Sequence, residues 1–115
     1  MYRVSDERFD ELVDDALDKL PEAVVRRMGN VVVLVQPFNE ENPEILGLYQ
    51  GVPLTERTFD HTGYLPDAIF IYKDTLERHA VSEDDLAHEV EVTVFHEVGH
   101  YFGIEEHRLH QLGWG

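Results

Sequence analysis

Residues 82–102 read SEDDLAHEVEVTVFHEVGHYF, and the reading of this stretch decides the fold. Leu86, Val90, Val94 and Val98 recur every fourth residue, so on a helix they stack along one face and form a buried stripe. Ser82 and Asp85, three residues apart, supply side-chain acceptors for the unpaired amides of a first turn, and Gly103 is suited to closing the last one. The spacing predicts a helix over 82–102. Near its end, His96-Glu97-Val98-Gly99-His100 brings two imidazoles onto one face about a turn apart, where both can reach one cation. Glu97 points about 100° away around the axis, a direction suited to a water beside the ion rather than to the ion itself.

Working outward, Ile104, Glu105, Glu106 and His107 follow the glycine, and 105–112 can form one further helical piece. Upstream, Phe9, Leu12, Val13, Ala16, Leu17 and Leu20 repeat at helical spacing behind Ser5, which predicts an amphipathic helix over 5–20. Pro21 suits the first turn of a short helix ending near Met28, and a second short helix or turn is expected over 74–79. Two runs read as strands. Residues 31–35 (VVVLV) match a strand covered on both faces and central in its sheet. Residues 68–72 (AIFIY) follow Pro66, which favours an edge position. The interval 38–67 is too long for a plain connector in a compact domain, and it marks a functional rim or structure with a weak signal, residues 45–49 among it. The class expected is α+β, a small mixed sheet packed on an N-terminal helix and the long helix.

The whole chain, residues 1–115, is the size of one domain, and 43% apolar residues can supply its core. Without cysteine, disulfides, thiolate catalysis and Cys-ligated zinc are excluded, so any metal is held by His, Asp or Glu. A formal charge of −15 repels phosphate backbones and anionic headgroups, so neither nucleic acid nor membrane is an expected partner. No signal peptide or membrane-length apolar run is visible, and the expected location is cytoplasmic.

Catalytic zinc takes three protein ligands and keeps one position open. His96 and His100 supply two. A turn at Gly103 brings the next residues back towards the same face, and HEVGHYFGIEEH (96–107) resembles the zincin pattern HExxHxxGxx(H/D), whose last ligand lies three positions after the glycine. That offset falls on Glu106, whereas ligand preference favours the adjacent His107. The third ligand is taken as Glu106, with His107 as the alternative. With the segments LGLYQGVPLTER (46–57) and LPDAIFIY (65–72), the chain resembles nearly throughout the small bacterial zincin-like metallopeptidases called mini-zincins, which usually carry Asp at that position.

The resemblance implies a minimal zincin-like fold, a zinc cofactor, and hydrolysis of peptides or unfolded protein with Glu97 as general base. The AIFIY strand would then form the upper edge of the cleft. The alternative is a zinc- or peptide-binding module on the same frame with weak turnover or none. A methionine turn is absent, the only methionines being Met1 and Met28, and Trp114 is the candidate floor beneath the site. Tyr49, Tyr64, Tyr72 and Arg57 are candidate oxyanion donors by residue type alone.

Overall fold

Ser5 opens the first helix. Its hydroxyl accepts a hydrogen bond from the Arg8 amide at 3.1 Å, and Asp6 and Glu7 set negative charge at the positive end of the helix dipole. The helix, α1 (Asp6–Asp18), buries Phe9, Leu12, Val13 and Ala16 along one stripe. The computed structural model describes residues 1–51 and 67–114. Within them α1 is followed by α2 (Glu22–Arg27), β1 (Val31–Gln36), β2 (Gly47–Gln50), β3 (Asp67–Tyr72), α3 (Lys73–His79), α4 (Glu83–Tyr101) and α5 (Glu106–Gln111).

The strands form a mixed sheet of order β1-β3-β2, with β1 parallel and β2 antiparallel to β3. Register follows the pleat: Val33 lies opposite Ile69, and Ile69 opposite Tyr49. Helix α4 lies against α1 on one side and β2 and β3 on the other. Its stripe of Leu86, Val90, Val94 and Val98 is fully buried, together with Phe9, Ile69, Ile71 and Leu76. Each such side chain contributes roughly 1.5–3 kcal/mol relative to exposure, so this layer is what holds α4 in place. The Ser82 hydroxyl accepts from the Asp85 amide at 3.0 Å, and the Asp85 carboxylate accepts from Val81 N–H at 3.0 Å. The α+β class and the small mixed sheet beside the long helix are as the sequence implies.

The strand order reverses one expectation. Sequence places the run at 31–35 centrally, covered on both faces, and AIFIY at an edge; instead β3 pairs on both sides and, among the described residues, β1 pairs with β3 alone. Val32 and Leu34 stand on the outer face with 37% and 43% exposure, while their neighbours turn inward. An unbroken β-branched run states only that a strand is favourable, since those side chains suit a pleated surface whichever face is covered. Pro66, on which the edge assignment rests, lies outside the described residues, as does half of the expected rim, residues 52–66.

Candidate metal centre

Helix α4 ends where its sequence requires. Gly103 adopts φ +77°, a left-handed conformation that a residue with a Cβ enters at a cost, and its N–H reaches the His100 carbonyl while Ile104 N–H reaches that of Gly99, each at 2.9 Å. The chain turns back on itself, and α5 seats its fully buried Leu109 over Gly99. That approach leaves no room for a side chain unless Leu109 shifts: a Cβ on Gly99 would stand 2.3 Å from Leu109 Cδ2.

The reversal carries Glu106 onto the His96 and His100 face. Glu106 Oε1 lies 3.2 Å from His96 Nε2 and 3.0 Å from His100 Nε2, and the two ring nitrogens are 3.0 Å apart. Three Lewis-basic atoms thus converge on one point. In a tetrahedron with zinc–ligand bonds of about 2.0–2.1 Å the ligand atoms are separated by about 3.3 Å, so the donor types and spacing fit a zinc ion. His107 is turned outward, 70% exposed, with Nδ1 3.3 Å from the Glu105 carboxylate.

Glu97 is 6% exposed, between α4 and β2. One of its oxygens falls within 4.8 Å of the donor atoms of His96 and His100, a looser cluster than the one Glu106 closes. Burial pushes its carboxyl up to about 7, the charge on His96 and a hydrogen bond from the Tyr49 backbone pull it down, and the Glu106 carboxylate adds to the rise. His100 is held below the ordinary imidazole range, first by burial and then by His96, with Glu106 opposing both.

The cleft in front of these groups has a volume of about 670 Å³, with Ile45, Gly47, Leu48 and Tyr49 on one wall and Gly103 to Glu106 on the other. The strand on this wall is β2, and not AIFIY as expected from sequence, because AIFIY has both edges occupied within the sheet. Among the candidate oxyanion donors, the Tyr49 hydroxyl donates to the buried Asp67 carboxylate at 2.8 Å. Tyr72 accepts from the Asn39 side chain at 2.9 Å and lines a neighbouring groove rather than this cleft. Tyr64 and Arg57 lie outside the described residues. The Trp114 ring packs edge-on against Phe95 at 5.3 Å, and its main-chain carbonyl oxygen lies 3.0 Å from His96 Nδ1. Sequence reasoning misses that contact, because a main-chain acceptor has no residue-type signature.

The chain belongs to the zincin-like metallopeptidase family, whose pattern matches residues 28–114. Membership implies a metal ion, typically zinc, and His96, Glu97 and His100 form a group able to bind one. Among solved structures the chain is similar to a conserved hypothetical protein from T. thermophilus, with 27% identity over 95% of this chain and 97% of that one, at a TM-score of 0.58. No curated protein matches. No helix among the described residues is long and apolar enough to cross a membrane.

Proposed function

We propose that the protein is a zinc-dependent metallopeptidase acting on peptides or unfolded protein in the cytoplasm, with His96, His100 and Glu106 as metal ligands and Glu97 as general base. One observation carries the reading: three donor atoms from two helices, those of His96, His100 and Glu106, close a triangle of 3.0–3.2 Å edges, and a second acid, Glu97, stands beside it within 4.8 Å of the histidine donors. Zinc held there supplies Lewis acidity, lowering the pKa of water towards neutrality and polarising a carbonyl.

The rest falls to the chain. Glu97 takes a proton from the attacking water as the oxygen–carbon bond forms, then returns it to the nitrogen as the carbon–nitrogen bond breaks. Its enclosure against β2 favours the neutral acid and hence that return. Ile45, Gly47, Leu48 and Tyr49 wall the cleft beside the metal donors, so an extended peptide can lie along β2 and be read through main-chain as well as side-chain contacts.

The test is zinc content together with cleavage of an unstructured peptide library by wild type, His96→Ala and Glu97→Gln. His96→Ala is expected to lose zinc. Glu97→Gln is expected to keep it and to lose hydrolysis by at least about 100-fold, the scale of a general base. Undiminished cleavage by Glu97→Gln removes the mechanism, and zinc binding with no cleavage by wild type favours a binding module. For the third ligand, Glu106→Ala is expected to lower zinc affinity and His107→Ala to leave it unchanged.

A further inference from the structure

We infer that Trp114 is a positioning residue for the metal centre: its main-chain carbonyl fixes the tautomer and the orientation of His96. The inference rests on the reading of His96 as a ligand. A carbonyl oxygen only accepts hydrogen bonds, so at 3.0 Å from it His96 Nδ1 carries the proton and donates. In the neutral ring the lone pair is then on Nε2, the nitrogen that faces His100 Nε2 and Glu106 Oε1. Which imidazole nitrogen is free for a metal is set by the bond the other one makes.

The carbonyl is itself held. Helix α5 ends in the same kind of turn as α4: Gly113 N–H reaches the His110 carbonyl at 3.1 Å and Trp114 N–H reaches that of Leu109 at 2.8 Å. Leu109 is fully buried against α4 at Gly99, which ties the turn to the helix that carries His96. The indole on Phe95, the residue preceding His96, adds a second anchor. One short segment thus delivers Glu106 from its first turn and the Trp114 carbonyl from its exit, on opposite sides of the same imidazole.

Two measurements test this. Long-range proton–nitrogen NMR on the zinc-free protein reads the His96 tautomer, and competition with a chromogenic chelator reads zinc affinity. Wild type is expected to show His96 protonated at Nδ1. Stopping the chain at Gly113, or Trp114→Ala, is expected to lower zinc affinity about 10- to 100-fold and to mix the tautomers, whereas Trp114→Phe keeps both within about threefold. The tautomer is a readout that general loosening of the surface does not set.

Wild-type His96 protonated at Nε2 overturns the inference even if a variant fails to fold. So does a chain stopped at Gly113 that binds zinc like wild type. Wild type that takes up no zinc while showing the Nδ1 proton sinks the ligand reading and leaves the carbonyl contact standing.

Discussion

A carboxyl group enclosed between a helix and a strand edge resists ionisation, and in Glu97 that burial outweighs both the neighbouring ring and the Tyr49 amide. The consequence is thermodynamic. With its carboxyl raised to about 7 in the folded, zinc-free protein, Glu97 binds more protons folded than unfolded. Its contribution to stability is therefore full below the ordinary carboxylate range and is lost as pH rises through about 7. His100, lowered, has the opposite slope, because the unfolded chain binds the proton better. Glu97→Gln separates the two, since the amide is neutral throughout. The stability of Glu97→Gln relative to wild type is expected to rise between pH 5 and pH 8, by on the order of 1–3 kcal/mol, measured by thermal melts in chelator. A flat difference contradicts the burial argument. At this scale the sequence is informative where side-chain spacing is the signal, as for His96, Glu97 and His100, and silent on the Trp114 carbonyl.

Elements are placed by surfaces that a one-dimensional pattern reports unevenly. The stripe of α4 is legible because four residues at regular spacing admit one buried face, and the reversal after it because Gly103 marks the stop. The order of the sheet is not legible. A Val-rich run and an Ile-rich run have similar strand preference, and only the pairing of β3 with both β1 and β2 shows which is central. Nor does β2 announce itself: Gly47 to Gln50 is four residues long and carries no alternating pattern strong enough to separate strand from turn. The seam between α4 and α5 gives a prediction. Gly99→Ala forces a methyl into the space of Leu109, at about 1–3 kcal/mol of overpacking, and should shift Glu106 away from the two rings and weaken zinc binding. Leu109→Ala alone opens a cavity, at about 2–5 kcal/mol. In the double variant the added methyl enters the vacated space, so the two losses are expected to sum to less than their separate values by at least about 0.5 kcal/mol. Strict additivity in chemical denaturation would show that the two residues do not share that space.

Six residues of helix cannot hold together in water alone, so α5 depends on what it touches. In the zinc-free molecule those attachments include Leu109 beneath it, the Trp114 turn at its exit, and the Glu106 carboxylate beside His96 and His100, in a chain of formal charge −15. On the proposed reading the metal and the fold are coupled through charge. A divalent cation at the His96, His100 and Glu106 triangle would join α5 to α4 and relieve part of the molecule's self-repulsion in the same act. Zinc at about 100 times its dissociation constant is expected to stabilise wild type by about 2.7 kcal/mol, and Glu106→Ala by much less at the same concentration. Salt acts on the two states in opposite senses. Raising ionic strength from about 0.01 M to about 1 M shortens the screening length from about 30 Å to about 3 Å, which steadies the zinc-free acidic molecule while weakening its long-range attraction for the cation. The expected result is a melting temperature that climbs with salt in chelator, together with a zinc increment that shrinks. Should the increment instead stay constant across that range, the net charge plays no part in metal capture, and the three proposed ligands with their immediate hydrogen bonds account for it alone.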